Sequence, residues 1–166
     1  MKYSMRGNVD PFIVMDVMEN ARKAEEGGRK IIHMEVGQPS TAAPSDALER
    51  TSQIIKSNPL GYTVALGLPE LRKKISDLYG RWYNLDLDPS RVIVTSGSSG
   101  AFILSFTALF EEGARVGIGA PGYPSYRQIL KSLGISPVDI VTNVKNKFQP
   151  TRHPVIEKNF EKELIT

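Results

Sequence analysis

Between residues 91 and 141 the chain alternates short β-branched apolar runs with helical stretches, and this rhythm limits the fold more than any other feature. Residues 91–95 read as an apolar strand, and residues 96–100 as a tight loop of small residues. Residues 101–110 are a strongly apolar helix closed by Gly113. Residues 115–118 form a second strand, followed by the turn Ala120-Pro121-Gly122-Tyr123-Pro124. Residues 125–133 are a helix capped by Gly134, and residues 138–141 a third strand. Strand–helix–strand–helix–strand predicts an α/β fold with a parallel sheet and right-handed crossovers. One more helix fits residues 154–164. It should feed a further strand, because three parallel strands leave an open edge. The pattern is therefore expected of an open architecture that continues past Thr166.

The first half reads as mostly helical. Phe12, Met15, Met18 and Ala21 step at helical spacing, and Gly27-Gly28 ends that helix. Residues 31–36 predict a short strand. A second helix is expected from Ser45, as its N-cap, to about Lys56. Pro69 suits the first position of a third helix. Leu71, Ile75, Leu78 and Trp82 then give that helix one apolar face, and Asp88-Pro89-Ser90 breaks it.

Composition removes several classes of chemistry. There is no cysteine, so disulfides, thiolate metal sites and cysteine nucleophiles are excluded. Two histidines, His33 and His153, make a histidine metal site an unpromising reading. The net charge of +3 comes from Lys and Arg interleaved with Asp and Glu, without the basic stripe that nucleic acid selects. Hydrophobic residues at 40% and charged residues at 23% fit a globular chain with a core of its own. No apolar run is long enough to span a bilayer, and no secretory signal is expected at the N-terminus, which makes the cytoplasm the expected address.

The sharpest local signal is Thr95-Ser96-Gly97-Ser98-Ser99-Gly100-Ala101, between a strand and a helix. A helix N-terminus offers unpaired N–H groups and a partial positive charge, and small residues let an anion approach them. Serine hydroxyls add donors. Phosphate binding and simple capping are both open readings of this segment. It lacks the Gly-Lys-Ser/Thr of a Walker A loop, the G-x-G-x-x-G of a dinucleotide site and the G-x-S-x-G of a nucleophile elbow. Tyr123 lies in the turn after the next strand, where ligands of parallel sheets gather. It reads either as a flat face for a planar ring or as an aromatic packed on its own loop.

Four segments together carry a family resemblance. They are Val36-Gly37-Gln38-Pro39 with Pro44, the run from Tyr62 through Gly67-Leu68-Pro69-Glu70-Leu71-Arg72, the run from Val94 to Ala101, and Ala120-Pro121-Gly122-Tyr123-Pro124-Ser125-Tyr126. In order and spacing the chain resembles the class I/II aminotransferases, the fold-type-I pyridoxal-phosphate enzymes, over roughly residues 10–165. The resemblance implies a three-layer parallel-sheet fragment of the family's large domain, preceded by a helical small-domain arm. Residues 1–45 would be the arm and part of the small domain, and residues 46–166 an incomplete cofactor-binding large domain.

The resemblance also implies roles. Ser98 and Ser99 match the cup for the phosphate of pyridoxal 5′-phosphate, and Tyr123 the aromatic that stacks on its pyridine ring. Tyr62 is similar to the tyrosine that reaches across a homodimer to the partner's cofactor phosphate. Gly37 matches the glycine whose backbone lies against the substrate carboxylate. The run from Gly67 to Arg72 is expected to be structural. Amino acids and 2-oxo acids would be the substrates. Nothing in the chain matches the family's cofactor-bonding lysine, so no catalytic residue is assigned, and these residues alone are expected to be inactive. Lys131, Lys145 and Lys147 read as surface charges. Lyases and decarboxylases share this scaffold, and a short protein binding a phosphate ligand or a partner without catalysis is the alternative of another class.

Overall fold

The computed structural model describes residues 3–151. The expected helix over 154–164 lies outside that range. Five α-helices and two strands follow in order: α1 Ile13–Glu26, α2 Ser45–Ser57, α3 Pro69–Tyr83, α4 Gly97–Leu109, β1 Arg115–Ala120, α5 Pro124–Ser132 and β2 Ser136–Val141. The chain forms two compact units. One holds the described residues of Met1–Asn20 and Ser96–Thr166, the other Ala21–Thr95.

In the first unit, β1 and β2 pair in parallel, in register from Arg115 opposite Ser136 to Ala120 opposite Val141. α5 is the crossover between them. Its Leu130 is fully buried, and it closes a core with Val116 and Ile135 against which Phe106, Phe110, Ala114, Ile118 and Leu133 pack. α5 stops because Gly134 takes a left-handed conformation at φ 76°, which lets the Ile135 N–H reach back to the Leu130 carbonyl at 2.9 Å. α4 packs on α5. It is apolar all round, yet none of its residues is buried among the described ones, and Ile103, Leu104 and Leu109 face outward.

The second unit is held more by polar ties. Arg72 on α3 donates from Nε to the Val92 carbonyl and from Nη2 to the Pro89 carbonyl, both at 2.8 Å. Ser76 Oγ donates to the Leu87 carbonyl. Gly67 sits at φ 100°, and a Cβ there would lie 2.5 Å from Val94 Cγ2, so conformation and space both demand glycine. The neighbouring Leu66 carbonyl accepts from the Val94 N–H at 3.0 Å. Between them, the run from Leu66 to Arg72 grips residues 92–94, just ahead of the serine-rich segment.

Several expectations need correction. Among the described residues the sheet has two strands, not three. Residues 92–95 are β-branched, but a strand needs a repeating ladder. Here Arg91 ends a 3₁₀ turn, the Val92 carbonyl goes to Arg72, and the Val94 N–H to Leu66. Residues 31–36 form no strand either; His33 and Glu35 pair with each other there. Pro44, not Ser45, holds the N-cap position of α2, and the Ser45 hydroxyl turns to Asp46 at 3.3 Å. α4 starts at Gly97, so Ser98, Ser99 and Gly100 lie in a helical first turn rather than a loop. First-turn residues have no intrahelical N–H partner to lose, so small polar residues are as much at home there as in a loop.

Candidate functional site

The N-terminal ends of α4 and α5 lie side by side in the first unit. Ser99 Oγ, in the first turn of α4, is 3.4 Å from Ser125 Oγ, in the first turn of α5. Ser96 precedes α4 and Tyr123 precedes α5, and neither of these two side chains caps the helix it precedes. Two helix ends with their partial positive charges therefore point their first turns at one region, with serine hydroxyls between them. Ser98 is exposed and Ser99 half-buried, so the first can meet a ligand from solvent and the second is held in place.

The turn that carries Tyr123 is set by steric limits. A Cβ on Gly122 would collide with the Gly119 carbonyl oxygen, and Ala120 and Pro121 are joined by a cis peptide bond. Buried Thr142, just after β2, fastens the end of β1 by donating from its N–H at 2.8 Å and its hydroxyl at 3.0 Å to the Ala120 carbonyl. Tyr123 thus stands at the carboxyl end of the parallel pair. The residue is 48% exposed. It meets Phe12 with ring centroids 6.1 Å apart and Tyr126 with centroids 5.3 Å apart, both near perpendicular, and Tyr126 packs in turn on Phe102 at 4.3 Å.

Charge along α5 is paired. Lys131 on α5 reaches the Asp10 carboxylate at 2.5 Å, and its hydrogen bond and charge hold that carboxyl below its ordinary range. Lys131 is therefore a structural tie as well as a surface charge. Arg127 pairs with Asp139.

Of the residues singled out in the sequence, Ser98, Ser99 and Tyr123 come to the same end of the first unit. Tyr62 and Gly37 belong to the second. Tyr62 is fully exposed, and a Cβ on Gly37 would meet no protein atom within 4 Å, so nothing within the described protein demands glycine there. Sequence reasoning missed Ser125 and Phe12 as members of this region. Ser125 was visible in the segment from Ala120 to Tyr126, but its pairing with Ser99 was not.

The second unit holds a separate polar cluster. His33 Nδ1 lies 2.6 Å from Glu35 and its Nε2 3.0 Å from Glu25. The hydrogen bond to Glu35, then that to Glu25, raises the imidazole to about 9, and His33 in turn lowers Glu35. Among the described residues no group of three or more acidic or imidazole side chains is placed to hold a metal ion. Nor is any helix among them long and apolar enough to cross a membrane.

Residues 29–161 match the family Aminotransferase class I and II. The chain belongs to this family. It is 40% identical to valine–pyruvate aminotransferase of Mycobacterium tuberculosis over 156 residues, which cover 94% of the chain and 40% of that relative. A solved aminotransferase structure from the same organism superimposes with a TM-score of 0.89 at 39% identity, covering 95% of the chain and 41% of the solved one. A solved structure from Silicibacter pomeroyi is 58% identical with a TM-score of 0.80, over 93% of the chain and 39% of its own. The chain is thus an α/β portion of the aminotransferase fold and spans about 40% of the length of these relatives. Class I and II aminotransferases generally depend on pyridoxal 5′-phosphate.

Proposed function

We propose that the protein works in pyridoxal-phosphate-dependent transfer of an amino group from an amino acid to a 2-oxo acid, and that these residues form the phosphate and ring-stacking side of its site. The observation that carries this reading is the contact between Ser99 and Ser125, which sets the first turns of two helices together beside the exposed Tyr123. That donor set fits the cofactor's phosphate: backbone N–H groups, two helix dipoles and serine hydroxyls suit a dianion. Ser98 and Ser99 hold it, and Tyr123 offers its face to the pyridine ring. Bound there, the cofactor supplies an electron sink for chemistry at the amino acid's α-carbon, and the protein supplies orientation.

The reading extends to the second unit. Gly37 leaves its backbone open to the substrate carboxylate, and the exposed Tyr62 serves the cofactor phosphate of a partner subunit in a homodimer. Residues 1–45 then make up the arm and part of the small domain, residues 46–166 the cofactor side of the large domain. The site of action is the cytoplasm.

Titration with pyridoxamine 5′-phosphate, whose amine does not condense with lysines, tests the core of this proposal. Ser99→Ala should weaken binding by about 1–3 kcal/mol, the range for a hydrogen bond to a charged group. Unchanged affinity would place the phosphate elsewhere.

A further inference from the structure

We infer that Phe12 is a positioning residue for Tyr123, fixing the orientation of the tyrosine ring on which a planar ligand ring would stack. This rests on the cofactor reading above. Tyr123 precedes α5 on a turn, and a side chain at such a place is free to swing unless something brackets it. Two rings do so. Phe12 stands nearly perpendicular to it, with 79° between the planes, and Tyr126 at 71°. Such edge-to-face pairs have a preferred geometry and resist rotation of either partner.

Phe12 is itself anchored. Its carbonyl accepts the Met15 N–H at 2.9 Å at the start of α1, which fixes its backbone. Two residues earlier, Asp10 is tied to Lys131 on α5 at 2.5 Å. Arg6 approaches Glu112 to 3.6 Å, an exposed pair that adds little by itself. The N-terminal segment is thus pinned to the same helix whose first turn carries the site, and the ring it delivers lands on the residue proposed to stack.

The test compares two ligands on the intact protein: pyridoxamine 5′-phosphate, which has a ring, and inorganic phosphate, which has none. Phe12→Leu should weaken the ring-bearing ligand about 2- to 10-fold, the worth of one aromatic pair. It should leave inorganic phosphate unchanged, and Phe12→Tyr should restore the loss. The Tyr123 ring protons should shift in Phe12→Leu before any ligand is added. Equal losses for both ligands would mean that Phe12 merely supports the fold around α5, and the inference falls. No loss for either, or an unmoved Tyr123 ring, also overturns it. If Phe12→Leu fails to fold, Asp10→Asn loosens the strap without touching a ring and should give the same ligand pattern more weakly; an equal loss for both ligands would again overturn it. Failure of the unaltered protein to bind pyridoxamine 5′-phosphate would sink the cofactor reading, and this inference with it. Binding that ignores Phe12 would sink this inference alone.

Discussion

In the unit that holds residues 96–151, Val116, Leu130 and Ile135 close on one another, and the sheet and its crossover helix share a core. In residues 21–95, α2 and α3 also carry apolar residues at helical spacing, yet Leu48 is 55% exposed and Val92 is the one buried apolar side chain among the described residues. The local patterns are equally good. The difference is that a β–α–β element brings its own opposing surface, since the crossover helix must lie back over the two strands it joins. A helix with an apolar stripe has no such guarantee; it needs another layer to face. Burial therefore holds the first unit. In the second, Arg72 and Ser76 secure the segment after α3 by donating to its backbone carbonyls.

The largest expected effect tests the first half of that contrast. Leu130→Ala should destabilise the first unit by about 2–5 kcal/mol, the cost of emptying a filled core position. Leu48→Ala should stay within about 0.5 kcal/mol, as surface changes do. Hydrogen exchange of the β1 and β2 amides, and separately of α2, reads both. Similar losses at the two sites would erase the distinction.

The second half is tested by Arg72→Met, which keeps the aliphatic stem but leaves the Pro89 and Val92 carbonyls without their donor. Local opening of residues 88–94 should become easier by about 1–3 kcal/mol. An unchanged exchange pattern would mean that the grip of the run from Leu66 to Arg72 lies elsewhere, in Gly67 and the Leu66 carbonyl.

The smallest effect belongs to His33. Its imidazole, ordinarily at 6.5, is raised to about 9 by Glu35 and Glu25. A raised histidine stabilises the folded state fully below the unfolded value, and that contribution fades as pH climbs through about 9. The His33 ring resonances should titrate near 9, and Glu35→Gln should bring the midpoint down. The denaturation midpoint of the second unit should hold steady below about pH 6.5 and slip above it, less so at high salt, because the cluster is exposed and screened. A midpoint near 6.5 in the unaltered protein would show that the two carboxylates do not engage it.

Much of this arrangement is legible residue by residue. Pro69 opens α3 because proline lacks the N–H that the first helical position does not use. Gly134 ends α5 because only a left-handed residue lets the chain turn there. Ser98, Ser99 and Tyr123 stand out as candidates because small donors at the start of a helix and an aromatic after a strand have a local signature. Residues 91–95 mislead for the same reason that they attract notice. Val92, Ile93 and Val94 have the composition of a strand, but composition cannot name the backbone that would pair with them.

The amino-acid order by itself determined the strand–helix–strand run of β1, α5 and β2, the parallel sense of β1 and β2, the family and the candidates on the serine-rich segment and the Tyr123 turn. These depend on residue spacing, steric preference and matching motifs along a short stretch of chain. Only the tertiary structure decided that Ser99 meets Ser125, that Phe12 meets Tyr123, that Arg72 spends its guanidinium on Pro89 and Val92, and that residues 91–95 join no ladder. Each of these turns on whether segments distant in sequence meet. The energy of such a meeting depends on which surfaces are brought face to face, and no local pattern records that choice.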